Sequence, residues 1–135
     1  MDLNQVTIGS TDVERSARFY QRLGLRLIVD SAPRYVRFEC PQGCATFSIH
    51  QVDAITTPAT TLIYFECTDL DQRHRDLNEA GVQFDSAPKE QRWLWREARL
   101  HDPDGNPICL YHGGDNRRHP PWRINDDDDA CDGIA

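Results

Sequence analysis

The stretch Thr11-Asp-Val-Glu-Arg-Ser-Ala-Arg-Phe-Tyr-Gln-Arg-Leu-Gly24 decides the fold. It reads as a complete capped helix. Thr11 can accept from the backbone N–H three residues on while Glu14 reaches back to the amide of Thr11, the capping-box arrangement. Val13, Ala17 and Tyr20 form one apolar stripe, with Arg15, Arg18 and Arg22 off it. Gly24 supplies the left-handed residue that stops a helix. The design returns 57 positions later, from Thr11 to Thr68 and from Gly24 to Gly81. Thr68 has Asp71 three residues on, Leu70, Leu77 and Ala80 keep helical spacing, and Gly81 closes. Two copies are too few for a solenoid, so the repeat predicts a duplicated half-domain.

Around the first helix the chain predicts strands over 3–9, 25–30, 34–40 and 45–50, a β-α-β-β-β order. The polar connector 53–60 is the seam, which places a first module at 1–57 and a second at 58–113. In the second, 61–67 takes the place of the first strand, the helix follows, Val82–Phe84 is extended, and a loop runs through Pro88. A strand over Trp93–Leu100 then leads into Asp102-Pro-Asp-Gly-Asn106, a strong turn signal, and the last strand at 108–112. Residues 114–135 read as a loop-like, acidic tail, with Asp126–Asp129 and Asp132 expected to be disordered. Trp122 is the exception there, expected to dock on the body or on a partner subunit.

Composition limits the function. The 135 residues make one domain's worth of chain, with 39% hydrophobic and 27% charged residues, as in a soluble globular protein. A net charge of −7 argues against a nucleic-acid surface. No apolar run suffices to span a membrane and the N-terminus does not read as a signal peptide, so the expected location is cytoplasmic. Five cysteines, an odd number, read as reduced thiols. Cys40 and Cys44 flank a turn, but no further ligands at zinc spacing accompany them.

Three segments together resemble the glyoxalase/bleomycin resistance protein/extradiol dioxygenase family, the vicinal oxygen chelate superfamily. They are Asp12–Leu25, Thr68–Asp71 with Glu79–Val82, and Arg99–Leu110, in order and spaced by the duplication. The resemblance implies an α+β fold, two β-α-β-β-β modules forming an open, cup-shaped half-barrel sheet with helices outside, commonly in a homodimer. Such relatives include metal-dependent isomerases, epimerases, dioxygenases and thiol transferases, and also metal-free drug-binding proteins. Fold alone does not choose among them.

The metal-using relatives carry ligands at four strand positions, which fall here on Gln5, Ser48, Leu62 and Cys109. Leu62 offers no donor, Gln5 and Ser48 are weak neutral ones, and only Cys109 could bind strongly. The expectation is therefore no metal and no other cofactor. Because strand side chains alternate, Thr7 shares a face with Gln5, His50 with Ser48, Tyr64 and Glu66 with Leu62, and Tyr111 with Cys109. A displaced divalent metal on His50, Glu66 and Cys109 is the alternative.

His50 is either a rim histidine or a proton-transfer group, and Glu66 either borders a wet cavity or has a cationic partner. Cys109 reads more as a small core residue than as a nucleophile. Tyr64 and Tyr111 read as cavity wall; Trp93 and Trp95, at i and i+2, as core, as a dimer interface or as a stacking platform for a planar ligand. Arg34, Arg37, Arg96 and Arg99 read mostly as solvated strand residues, though one could pair with Glu66 or an acidic ligand. Two functions follow. One is a small-molecule-binding protein of the glyoxalase/bleomycin-resistance type, with a metal-free cavity lined by Gln5, Thr7, Ser48, Tyr64, Trp93, Trp95, Cys109 and Tyr111. The other is a lyase, isomerase or dioxygenase-like enzyme of the same superfamily, acting on a small oxygenated metabolite through His50 and Glu66, with or without a divalent metal.

Overall fold

A computed structural model describes residues 1–55 and 60–124 of the chain. Two compact units emerge, Met1–Thr61 with His101–Pro107, and Leu62–Leu100 with the chain from Ile108 onward. The turn 101–107 thus packs with the first unit, although the strands it joins belong to the second.

The first unit runs β1 (Gln5–Ser10), α1 (Val13–Leu23), β2 (Arg26–Ser31), β3 (Tyr35–Glu39) and β4 (Thr46–Gln51). Its sheet has the order β1-β4-β3-β2, with β1 parallel to β4 and the other neighbours antiparallel. The expected stripe of α1 is the buried one: Val13, Ala17 and Tyr20 meet the apolar side of the sheet, where Val36, Phe38, Phe47 and Ile49 are buried. Alternation turns Tyr35, Arg37 and Ser48 to the other face.

The second unit runs β5 (Ile63–Glu66), α2 (Leu70–Glu79), β6 (Lys89–Glu90), β7 (Arg96–His101), β8 (Pro107–His112) and α3 (Asp115–Arg118). Its order β5-β8-β7-β6, with β5 parallel to β8, repeats the topology of the first. Both sheets are open and mixed, so the fold is α+β with two modules, as the resemblance implies.

The duplication reaches down to single hydrogen bonds. Gly24 N–H donates to the Gln21 carbonyl and Leu25 N–H to that of Tyr20; Gly81 N–H donates to Asn78 and Val82 N–H to Leu77, each 57 positions on. Gly24 and Gly81 both hold positive φ, 106° and 93°, which the glycine tolerates without a Cβ clash.

Several local expectations are corrected. The cap of α1 is Asp12, whose carboxylate accepts from Arg15 N–H at 3.1 Å, while Thr11 is drawn away to Asp104. In α2 the cap position is Asp69, without a side-chain bond, rather than Thr68, and Asp71 pairs with Arg96 at 2.8 Å; Ala80 is exposed rather than part of the buried stripe. The strand expected from Trp93 begins at Arg96: Gln91 N–H bonds the Trp95 carbonyl and Leu94 takes φ 68°, folding 91–95 into a hairpin that makes β6. Val82–Phe84 contributes a single bridge, Phe84 to Leu100. The segment after Gly113 contains the short α3, and Trp122 keeps 57% of its surface exposed on the single chain. The acidic residues Asp126–Asp129 and Asp132 lie outside the described residues. Cys40, Cys44, Cys67 and Cys109 are free thiols. Among the described residues no helix is long and apolar enough to cross a membrane.

Candidate functional site

In the first unit, the parallel register sets Gln5 beside Thr46, Thr7 beside Ser48 and Gly9 beside His50. The antiparallel register sets Tyr35 opposite His50 and Arg37 opposite Ser48. Polar side chains of three strands therefore converge. Gln5 Nε2 donates to Ser48 Oγ at 2.8 Å and to Thr7 Oγ1 at 3.1 Å. Ser48 Oγ and Tyr35 Oη lie 2.7 Å apart, and Arg37 Nε donates to Tyr35 Oη at 2.9 Å. Thr46 Oγ1 donates to Gln5 Oε1. The bond to Ser48, and then the Arg37 charge, hold the Tyr35 phenol below its ordinary range although burial works the other way. Gln5, Thr7 and Ser48 are thus brought together; His50 is exposed beside them. Tyr35 and Arg37 complete the group. The sequence reading places Tyr35 in the strand 34–40 without a role and Arg37 among mostly solvated arginines; the available signal was their i, i+2 spacing opposite His50 and Ser48.

In the second unit, the register sets Tyr64 beside Cys109 and Glu66 beside Tyr111. Three rings gather. Tyr64 lies edge-on to Trp95, centroids 5.7 Å apart, and edge-on to Tyr111 at 5.3 Å, while Trp95 and Tyr111 are 4.8 Å apart. These are the separations at which aromatic pairs attract. Tyr64 keeps 40% of its surface exposed. Trp95 Nε1 donates to the Asn116 carbonyl at 3.1 Å, which ties α3 to the cluster. Trp93 stands apart from the rings, its Nε1 donating to Glu97 Oε2 at 2.7 Å.

Glu66 has found a structural partner. Its Oε2 accepts from Gly113 N at 2.8 Å and Gly114 N at 3.0 Å, with His112 Nδ1 at 3.8 Å and Arg117 Nε at 4.0 Å from its carboxylate. Gly113 is packed tightly: a Cβ there would lie 3.2 Å from both Trp95 Nε1 and Tyr111 Cε2. Gly113→Ala is therefore expected to cost about 1–3 kcal/mol and to shift the tryptophan emission, checked by urea unfolding and fluorescence.

Glu97, 2% exposed, was missed in the sequence because β7 was expected to begin at Trp93. It accepts from Arg99 Nη2 at 2.9 Å as well as from Trp93, so a buried carboxylate is fully answered. Burial, and then Glu97, push the Cys109 thiol up to about 12. Burial, and then Glu66, push the Tyr111 phenol up to about 12. Both groups are protonated at neutral pH and neither is poised as a nucleophile or base.

The four positions that the resemblance implies as metal ligands carry a poor donor set. The Gln5 amide turns its NH₂ toward Ser48, offering protons rather than a lone pair; Leu62 has no donor; the Cys109 thiol keeps its proton. Among the described residues no three His, Cys, Asp or Glu side chains gather as a metal-binding group.

Residues 2–110 match the family model of the Glyoxalase/Bleomycin resistance protein/Dioxygenase superfamily. The chain is similar to the uncharacterized protein YraH of Bacillus subtilis (strain 168), 26% identical over 125 residues, covering 82% of this chain and 98% of YraH. Among solved structures, it resembles a bleomycin-binding protein complexed with bleomycin, with TM-score 0.69, 21% identity and coverage of 84% and 99% of the two chains. It also resembles lactoylglutathione lyase from Agrobacterium tumefaciens, with TM-score 0.69, 13% identity and coverage of 83% and 93%. At these identities the structural likenesses establish a shared fold.

Proposed function

The chain belongs to the glyoxalase/bleomycin resistance protein/dioxygenase superfamily, and from that premise we propose that it is a small-molecule-binding protein that holds a planar ligand without a resident divalent ion. The observation that carries this reading is the cluster of Tyr64, Trp95 and Tyr111 on the second sheet, in which Tyr64 is exposed, Trp95 half-buried and Tyr111 buried behind them. Three rings held by one another present a preordered apolar wall, which spares the ligand most of the cost of ordering its site. The chemistry beside them supports binding over turnover. Glu66 is occupied by two backbone amides, and Cys109 and Tyr111 stay protonated. The enzymatic alternative would ask proton transfer of Glu66 and of His50. The structural neighbour that binds bleomycin shares this fold and supports the same reading. The family resemblance implies a homodimer as the working form.

Tryptophan quenching and calorimetry test it, with bleomycin and the neutral planar probe 4-nitroanisole. Wild type is expected to bind at least one of the two, and Trp95→Ala and Tyr111→Ala to lose roughly tenfold or more in affinity, since one ring contact with its buried area is worth about 1.5 kcal/mol or more. Elemental analysis is expected to find no stoichiometric metal, and native mass spectrometry a dimer. Stoichiometric Fe, Mn, Ni or Zn that disappears in Glu66→Ala would overturn the reading in favour of the enzyme.

A further inference from the structure

The polar group on the first sheet has a proton too many. Its chain of hydrogen bonds is Arg37, Tyr35, Ser48, Gln5, and both ends are donors: a guanidinium N–H at one and an amide N–H at the other. A chain closed by donors at both ends leaves one hydroxyl proton without an acceptor inside it.

The Val6 carbonyl fixes the orientation of the Gln5 amide. Its nitrogen lies 3.2 Å from the Val6 carbonyl, which only accepts, and its oxygen faces the Thr46 hydroxyl. Turning the amide over would set two acceptors against each other at Val6. Gln5 therefore presents a donor to Ser48.

Burial then decides which hydroxyl carries the surplus. Ser48 is 0% exposed, and among the described residues its partners are Gln5, a donor, and Tyr35. Its proton goes to Tyr35, because the other direction would strand it in the sheet. Tyr35 Oη then accepts twice, from Ser48 and from Arg37, and its own proton is left to point away from both toward the open side, where Tyr35 is only half-buried. A phenol that accepts two hydrogen bonds, one from a cation, is a strengthened donor.

Charge selects the acceptor. The neighbouring carboxylate on β3, Glu39, is answered by Arg26 at 2.8 Å, and Arg37 spends its Nε on a neutral phenol. The guanidinium retains N–H groups beyond that one bond.

We propose that Tyr35 and Arg37, backed by Ser48 and Gln5, form a binding site for an anionic oxygen, the phenolate, enolate or carboxylate group of a small ligand. The Tyr35 O–H donates to that oxygen and the Arg37 guanidinium balances its charge. The lowered phenol pKa agrees with this wiring: two donors already aimed at Oη also steady its anion. The proposal goes beyond the aromatic cluster, which sits in the other unit and uses none of these groups.

The test uses 4-nitrophenolate, ionised in mildly alkaline buffer, with 4-nitroanisole as its neutral counterpart. Calorimetry with wild type is expected to show the phenolate bound at least tenfold more tightly than the ether. Tyr35→Phe keeps the ring and removes the proton; Arg37→Gln keeps the bulk and removes the charge. Each is expected to weaken phenolate binding on the order of 10- to 100-fold, the worth of one charge-assisted hydrogen bond, and to leave the ether unchanged. In protein labelled at tyrosine Cζ, the Tyr35 resonance, assigned by its loss in Tyr35→Phe, is expected to shift on adding 4-nitrophenolate. Affinity within threefold of wild type in Tyr35→Phe, no preference for phenolate over ether, or no binding of the phenolate would overturn the site. Trp95→Ala and Tyr111→Ala touch none of these groups, so a loss confined to Tyr35→Phe and Arg37→Gln supports the anion site whatever becomes of the aromatic one.

Discussion

Asp104→Ala is expected to lower the unfolding free energy by about 3–5 kcal/mol, the range found when one partner of a buried, hydrogen-bonded charge is removed. The Asp104 carboxylate is 1% exposed. Its Oδ2 accepts from Ser10 Oγ at 2.5 Å and Ser16 Oγ at 2.8 Å; its Oδ1 accepts from Thr11 N at 2.9 Å, Thr11 Oγ1 at 2.8 Å and Arg15 Nη2 at 3.3 Å. One side chain of the 101–107 turn thus ties the end of β1 to the first turn of α1, at the helix end whose free amides favour negative charge. Alanine would leave the two buried hydroxyls that now donate to it with only each other, so that one of their protons has no acceptor. Asparagine keeps the shape and loses the charge, so about half the penalty is expected. The acid response follows. Burial alone would raise this carboxyl, but the donors from Ser10, Thr11 and Ser16 hold it below the usual carboxylate range. A depressed folded-state pKa contributes stability that is complete above the unfolded value, about 3.9, and is lost as pH falls through the folded one. Urea unfolding at pH 7 and pH 3 should therefore show wild type losing more on acidification than Asp104→Ala, with the gap between them narrowing. A gap that stays constant would mean that the charge itself contributes nothing.

Asp104 also marks the limit of what a sequence can tell. The capped helix was legible because its information is local: an apolar stripe, a stop glycine, a repeat at fixed offset. Thr11 looked like the cap because the competing acceptor for its hydroxyl lies 93 residues away. With Thr11 withdrawn, its neighbour Asp12 took the role. The same holds for the sites. The resemblance points Gln5, Ser48, Leu62 and Cys109 toward a cavity and alternation adds Thr7, Tyr64 and Tyr111; of these, Gln5, Thr7 and Ser48 touch one another, and Tyr64 touches Tyr111. Tyr35 and Arg37 joined the first group only through the β3–β4 register, set by a turn whose length fixes which residues oppose. Trp93 and Trp95 had the composition of a strand, but Leu94 at φ 68° breaks the alternation, so one indole turns to Glu97 and the other to the rings. A left-handed leucine has no signature in residue type, since the tertiary frame imposes it against steric preference. Glu66 shows the same limit. Its position on the strand was readable, but the two glycine amides that claim it lie 47 and 48 residues on.

Tyr20→Ala is expected to be as damaging as Asp104→Ala, about 3–5 kcal/mol, because it empties a space that cannot easily collapse. Tyr20 is 0% exposed and its ring lies 4.7 Å from that of Phe47, 5.1 Å from Phe19 and 6.2 Å from Phe38, centroid to centroid. Its hydroxyl donates to Asp102 Oδ2 at 2.7 Å, an oxygen that also accepts from Asn106 Nδ2 at 2.9 Å. Burial, and then Asp102, push the phenol far above its ordinary range, so it remains a neutral donor. Tyr20→Phe separates ring from hydroxyl: it should cost only about 1–3 kcal/mol, the penalty of one buried acceptor left short. The two variants also divide packing from recognition. Phe38 and Phe47 alternate along β3 and β4 with Arg37 and Ser48, so the ring that supports the former from below sets the height of the latter on the opposite face. Tyr20→Phe, which keeps that support, is expected to bind 4-nitrophenolate within about threefold of wild type. Tyr20→Ala, measured where it is still folded by circular dichroism, is expected to bind it more weakly by tenfold or more, since a polar chain of 2.7–2.9 Å links tolerates little displacement of its strands. Equal affinity in both variants would show that the recognition groups keep their geometry without the core beneath them.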